Sequence, residues 1–318
     1  MKTVRIDPVD KEHGVMGLGC WSFGGEWGPQ ADADSLEALT VALDLGINHL
    51  DTAEAYGKGR SEQLVGEAIA GRRDEVFLAT KGFPLWGDLG RDCYAKKIDD
   101  SLKRLRTDFI DLYYIHWPMT GRDMRPPMEA LVAAKEAGKI GAVGVSNFTV
   151  AELEQVAEVG PIDAHQICYN LFWRYPEREV VPYCRERGIA VVTYSTIAEG
   201  ILTGKFPRDV EFPEDDHRGG GLLFDADVWP HVYEGVEKLK ALAAEVNVPL
   251  AHLAVQWTTR RPGVRSVLVG SRNAEQVRRN AEATASQIPE EAFDRMTAVG
   301  DEVFARVPEV VNIFRWHP

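Results

Sequence analysis

Short apolar, β-branched runs alternate along this chain with stretches of helical period. The runs are MGLGC (16–20), NHLD (48–51), VFLATK (76–81), IDLYYIH (110–116), AVGVSN (142–147), AHQICYN (164–170), IAVVTYS (189–195) and VRSVLVG (264–270). Most are apolar at nearly every position, as in strands covered on both faces. Between them, Leu36, Leu39 and Leu43 share one face of a predicted helix that stops at Gly46, and Ile98, Leu102 and Leu105 mark another. Thr149 followed by Glu152 is a capping-box pattern that opens a helix after VGVSNF. Eight strand–helix alternations predict an α/β fold, a (β/α)8 TIM barrel. A doubly wound sheet is the rival, and it usually carries a glycine fingerprint after its first strand. Here Gly17 and Gly19 are followed by Ser22 where the third glycine belongs.

The interval between the seventh and eighth strands is far longer than the others. It contains KFPRDVEFPEDDHRGGGLLFDADVWP (205–230), rich in Gly, Pro and charge. A long loop at that end of a barrel is expected to be a functional lid. The first 14 residues are expected to cover the barrel bottom, and the aromatic C-terminal segment VPEVVNIFRWHP to fold over a pocket rim. No linker or low-complexity stretch interrupts the chain, so residues 1–318 read as a single domain.

The net charge of −13 disfavours nucleic acid and anionic membranes as partners, and an anionic ligand would need a local cationic pocket. No apolar run is long enough for a membrane span, and the N-terminus lacks a signal-peptide pattern. Four irregularly spaced cysteines fit a reducing compartment, so a cytoplasmic location is expected. Neither HExxH nor clustered His/Asp spacing is present, so no metal site is expected.

Asp51, Lys81 and His116 stand at the C-terminal ends of predicted strands, with Tyr56 five residues beyond Asp51. In a parallel barrel those ends share the face that carries the active site. A free phenol, with a pKa near ~10, is a poor base at neutral pH. An adjacent ammonium stabilises the phenolate. Lys81 is therefore expected to lower the pKa of Tyr56, with Asp51 holding Lys81 charged. His116 can donate a hydrogen bond to the oxygen that Tyr56 protonates. The set suits carbonyl reduction, in which a proton reaches oxygen as hydride reaches carbon. Each residue alone has an ordinary explanation as a cap, a core ring or a solvent-facing lysine. Their joint placement is what points to chemistry.

The segments LDTAEAYGKGRSEQLVGEAI (50–69), ATK (79–81), DLYYIHWP (111–118) and KIGAVGVSNF (139–148) resemble, in order, the signatures of the aldo-keto reductases. The likeness runs from GLGCWSFGG near the start to GSRNAEQVRRN (270–280), and FPEDDHR (212–218) resembles a loop of a bacterial branch related to the potassium-channel β subunits. The resemblance implies a (β/α)8 barrel that binds a nicotinamide dinucleotide without a Rossmann domain. It makes Tyr56 the acid/base, tuned by Asp51 and Lys81, with His116 orienting the carbonyl. It places Ser146, Asn147 and Gln166 on the nicotinamide carboxamide and stacks Tyr194 on the ring. Ser195, Ile197, Gly200 and Lys205 match the stretch along the pyrophosphate, although Thr196-Ile197 replaces a frequent Pro-Leu. Gly270, Ser271, Arg272, Gln276 and Asn280 fall at the adenosine end. Asn273 reads there as the N-cap of a helix whose free amides favour an anion. Ser271 and Arg272 suit a ribose 2′-phosphate, which implies NADP, with NAD possible. Arg279 stands where many relatives carry an acid. Asp216 and Arg218 are expected to brace a clasp over the cofactor.

Trp21, Trp86 and Trp117 follow strands on the same face and are the candidate substrate-pocket walls, with Phe314 or Trp316 approaching from the tail. Aromatic walls suit apolar or sugar-like carbonyl compounds. The leading reading is an NADP-dependent reductase of aldehydes, ketones or aldoses. An NAD-linked sugar or polyol dehydrogenase would use the same residues in reverse. A nucleotide-binding redox-sensing subunit with slow turnover is the alternative from another class.

Overall fold

The computed structural model describes residues 2–84, 89–213, 216–310 and 312–314. Strands β1 (Thr3–Val4) and β2 (His13–Gly14) pair as an antiparallel hairpin. Eight parallel strands then close into a barrel: β3 (Met16–Gly19), β4 (His49–Asp51), β5 (Phe77–Gly82), β6 (Ile110–Ile115), β7 (Ile140–Ser146), β8 (Ala164–Cys168), β9 (Ala190–Tyr194) and β10 (Val264–Gly270). Closure is made by β10 against β3, with Val267 opposite Met16 and Gly270 opposite Gly19. This is the (β/α)8 TIM barrel, and each of the eight apolar runs forms one of its strands.

Helices α1 (Asp32–Asp44), α2 (Arg60–Ala68), α3 (Arg91–Leu105), α4 (Arg125–Glu136), α5 (Val150–Ala157) and α6 (Val180–Glu186) follow β3 to β8. Two helices, α7 (Trp229–Glu245) and α8 (Leu250–Thr259), lie between β9 and β10, and α9 (Ala274–Glu282) and α10 (Glu290–Phe304) follow β10. The expected helix faces are the buried ones, with Leu39 and Leu43 on α1 and Ile98, Leu102 and Leu105 on α3. Gly46 just past α1 takes a left-handed φ of 79°, which stops the helix. Thr149 and Glu152 form the capping box of α5. No helix among the described residues is long and apolar enough to cross a membrane.

Strand alternation decides what fills the barrel. Phe77, Ala79, Leu112, Tyr114, Ala142, Ala164, Ala190, Val192 and Leu268 form one interior cluster. The same two-residue period, continued toward the strand ends, brings Lys81 after Ala79, Ser146 after Ala142, Gln166 after Ala164 and Tyr194 after Val192. Below, Ile6 joins the interior cluster, so the N-terminal segment does cover the floor. His13 and His49 meet there edge to face at 4.7 Å, both packed on Phe77.

The long segment after β9 has more structure than a bare loop. It carries two 3-10 turns, His217–Gly220 and Leu222–Phe224, and its base is an aromatic cluster. Phe224 lies 5.2 Å from Phe206, 4.7 Å from Phe212 and 5.0 Å from Trp229, between ring centroids. Leu222 N–H donates to the Ile313 carbonyl at 3.2 Å, which joins the segment to the C-terminal tail.

Candidate active site

A cleft of about 1060 Å³ opens at the C-terminal ends of the strands. Lys81, fully buried at the end of β5, is held by three oxygens. Its Nζ donates to Asp51 Oδ1 at 2.5 Å, to the Thr52 carbonyl at 2.8 Å and to the Tyr56 hydroxyl at 3.4 Å. The other Asp51 oxygen accepts from Gln166 Nε2 at 2.8 Å, so residues of three strands meet at one carboxylate. Tyr56 sits in the turn after β4, edge-on to His116 at 5.7 Å and stacked near Trp21 at 6.1 Å. The structure therefore brings Asp51, Tyr56 and His116 together at one wall of the cleft, with Lys81 buried behind them.

Burial sets the charge states here. It pushes the Tyr56 phenol well above its ordinary value, and the negative charges of Asp51, Cys20 and Glu26 add to that push. The expectation that Lys81 lowers this pKa does not hold in the free protein, because the ammonium already faces Asp51 and desolvation outweighs what remains of its field. The result is a neutral phenol, the form a proton donor needs. Burial also lifts the Asp51 carboxyl, against the pull of Lys81 and Gln166. His116 is driven well below the usual histidine range, first by burial and then by Lys81. Its imidazole is neutral, and among the described residues its Nδ1 has no hydrogen-bond partner.

Farther along the cleft the predicted polar groups form a chain. Tyr194 donates its hydroxyl to Asn147 Oδ1 at 2.7 Å, and Asn147 Nδ2 donates to Ser146 Oγ at 3.0 Å and to the His116 carbonyl at 3.1 Å. Asn147 and Ser195 leave their strands with φ of 66° and 51°, turning the backbone along the wall. Ile197, Gly200 and Lys205 line the next stretch. Lys205, exposed at the groove, is lowered by desolvation and by the positive charges of Arg218 and Arg272, with Asp216 opposing. These three cations facing one groove supply the local positive pocket that an acidic chain needs for an anion. Asp216 pairs with Arg218, whose guanidinium lies 5.3 Å from the Trp27 ring, while Trp27 bridges Asp216 through the backbone.

At the far end, Asn273 Oδ1 caps α9 by accepting Gln276 N–H at 3.0 Å, and Gln276 Oε1 accepts Arg272 N–H at 2.9 Å. Arg272 Nε donates to Gln30 Oε1 at 3.1 Å, which holds the guanidinium at the groove edge beside Gly270. Ser271 is buried and its hydroxyl accepts from Asn280 at 3.0 Å, which leaves Arg272 as the charged side chain of this pair at the groove. Helix start, cation and polar chain together fit a dinucleotide with its phosphates toward Lys205 and Arg272.

Of the predicted aromatic walls, Trp21 and Trp117 line the cleft, while Trp86 and Trp316 lie outside the described residues. Phe314 stands among Trp21 (5.9 Å), Trp117 (6.4 Å) and Tyr194 (6.2 Å, nearly parallel), so the tail does reach the rim. Glu26, Trp27, Phe83 and Glu199 also line the cleft and escaped the sequence reading. Glu26 and Trp27 carry no motif, and the Phe83 ring meets His116 edge-on at 5.5 Å only because the β5 and β6 ends are neighbours.

The buried histidines predict an acid-sensitive fold. Burial lowers His13, His49, His116 and His165, the last to about 3. Unfolded histidine binds its proton near pH 6.5, so this stabilisation is complete above that value and lost as pH falls toward the folded pKa values. Glu199, pushed up to about 7 by burial, works the other way by taking its proton in the folded state. The four histidines act together against Glu199, so unfolding free energy is expected to fall between pH 7 and 5.5. Urea titrations with equal stability at both pH values would contradict this.

The family model for the aldo/keto reductase family matches residues 15–301. The aldo-keto reductase YhdN of Bacillus subtilis is 37% identical over 294 residues, covering 89% of either chain. The glycerol dehydrogenase AKR11B4 of Gluconobacter oxydans superposes with a TM-score of 0.85 at 32% identity, covering 97% of both chains. An aldo/keto reductase from Klebsiella pneumoniae, solved with NADP and acetate, superposes with a TM-score of 0.76 at 26% identity, covering 98% of both.

Proposed function

Because the chain belongs to the aldo/keto reductase family, a family of nicotinamide-dependent oxidoreductases, we propose that it reduces aldehydes and ketones with NADPH and that Tyr56 is the proton donor. The observation that carries this reading is the buried Lys81–Asp51 pair with the Tyr56 hydroxyl 3.4 Å from Lys81 Nζ and His116 beside it. A reduced nicotinamide bound in the cleft supplies the hydride. Tyr56, neutral at physiological pH, gives its proton to the carbonyl oxygen, and Lys81 stabilises the phenolate left behind. His116, a neutral imidazole, donates a hydrogen bond to the same oxygen and fixes its direction. Ser146, Asn147 and Gln166 offer both donors and acceptors to a carboxamide, and Tyr194 offers a ring face. Trp21, Trp117 and Phe314 form a dry, aromatic substrate end that favours neutral compounds over anions.

Run in reverse, the same groups oxidise an alcohol, with Tyr56 as base. The likeness to a glycerol dehydrogenase favours polyols as the substrates to try in that direction. The test is nicotinamide absorbance with NADPH, NADH, NADP and NAD against a panel of carbonyl compounds and polyols. Fast NADPH oxidation by one carbonyl class is expected, and no turnover with any pair would defeat the reading.

Arg272→Ala is expected to weaken NADP binding by about 10-fold or more, in line with the ~1.5–3 kcal/mol of a charge-assisted hydrogen bond, and to leave NAD binding nearly unchanged. Fluorescence titration with both dinucleotides checks this. Equal losses for both would remove Arg272 from the 2′-phosphate.

A further inference from the structure

We propose that Glu26 is a positioning residue for Tyr56: its carboxylate fixes the turn that carries the phenol, and its negative charge keeps that phenol protonated. The inference rests on the assignment of Tyr56 as proton donor and adds a residue from outside the four strand-end groups.

The geometry starts from two glycines. A Cβ on Gly24 would come within 2.5 Å of Gly57 N, and one on Gly57 within 2.7 Å of the Gly24 carbonyl oxygen. The turn after β3 and the turn after β4 therefore touch backbone to backbone, directly beneath Tyr56. Glu26 closes this junction, because its Oε1 accepts the Gly57 N–H at 2.6 Å. Gly57 follows Tyr56 in the chain, so the bond fixes the peptide that leaves the phenol. The φ of 57° at Gly57 and 53° at Lys58 mark a left-handed kink inside the turn, where Lys58 N–H reaches back to the Ala55 carbonyl at 3.3 Å.

The second carboxylate oxygen of Glu26 is buried with no hydrogen-bond partner among the described residues. A buried carboxylate oxygen acts through its field when no neighbouring donor spreads its charge, and the Gly57 N–H that Glu26 holds is one residue from Tyr56. The groups facing Tyr56 are Asp51 and Lys81 from the ends of β4 and β5, His116 beyond β6, Cys20 beyond β3, Tyr194 at the end of β9, and Glu26. Asp51 is ion-paired with Lys81, His116 is neutral, and the Cys20 thiol is pushed up beyond the range in which it ionises. Among the described residues, Glu26 is then the carboxylate acting on the phenol whose second oxygen has no hydrogen-bonded partner.

Glu26→Gln keeps an acceptor for Gly57 and removes the charge, while Glu26→Ala removes both. Glu26→Gln is expected to move the alkaline limb of carbonyl reduction and the acid limb of alcohol oxidation to lower pH by about half a unit to one unit, as loss of a nearby like charge requires. Glu26→Ala is expected to show that shift together with a fall in kcat. In cofactor-free protein, ultraviolet absorbance of the phenolate, with Tyr56→Phe subtracted, should rise at lower pH in Glu26→Gln than in wild type. Unmoved pH limbs in Glu26→Gln, with or without a loss of rate, would overturn the proposal, since a purely structural glutamate would leave them in place. If Tyr56→Phe turned over normally, the proton-donor reading would fall instead, and the two failures are separable.

Discussion

Tyr56→Phe is expected to slow carbonyl reduction by at least ~10²-fold while leaving dinucleotide affinity close to that of wild type. The substitution keeps the ring, so the contacts with Trp21 at 6.1 Å and with His116 at 5.7 Å survive. It deletes only the hydroxyl, which lies 3.4 Å from Lys81 Nζ. Loss of a proton donor acts on the transition state, so kcat and kcat/KM should fall together. Cofactor contacts are assigned to other side chains, Ser146, Asn147, Tyr194 and Arg272 among them, so fluorescence titration should see little change. Near-normal turnover would mean that water or His116 delivers the proton.

Lys81→Met is expected to cost both stability and rate. Lys81 and Asp51 are fully and almost fully buried, and removing one partner strands the other as an unpaired charge, a loss of about 3–5 kcal/mol. The phenolate would also lose the cation 3.4 Å from its oxygen, and reduction should drop by ~10²-fold or more. Asp51→Asn should destabilise less than Lys81→Met, because Gln166 Nε2 and the amide can still hydrogen-bond while the ammonium keeps the Thr52 carbonyl. The double variant Asp51→Asn/Lys81→Met removes both charges of the pair. Its stability is expected to recover most of the loss while its activity stays low. Denaturant midpoints and initial rates on the same four proteins give the cycle. A double variant that is as unstable as the sum of the singles would contradict the pairing, and one that is active would contradict the role of Lys81.

How much of this was legible in the sequence follows from what each feature depends on. The barrel was readable because eight doubly covered strands leave apolar runs, and each run became a strand. The four polar strand-end residues were readable for the same reason, since a two-residue period carries Ala79 to Lys81 and Ala164 to Gln166 along one inward column. Local helix chemistry was readable as well, in the Thr149 capping box and the Asn273 cap. What the sequence did not show depends on contacts across the chain. Glu26 meets Gly57 only because two glycine turns abut. The direction of the Tyr56 pKa differs from the expectation because it is set first by the depth of burial and then by the charge of Asp51, neither of which spacing reveals. The segment after β9 looked like a loop because its order comes from Phe206, Phe212, Phe224 and Trp229 packing on one another without a strand or helix period.

The most direct test is a crystal structure of the protein with NADP and an unreactive carbonyl analogue. The nicotinamide ring is expected against Tyr194, its amide at Ser146, Asn147 and Gln166, with the analogue's oxygen in hydrogen-bond reach of both Tyr56 and His116 and the 2′-phosphate at Arg272. A reactive ring bound away from Tyr56, or an analogue oxygen that reaches neither side chain, would contradict the proposed chemistry.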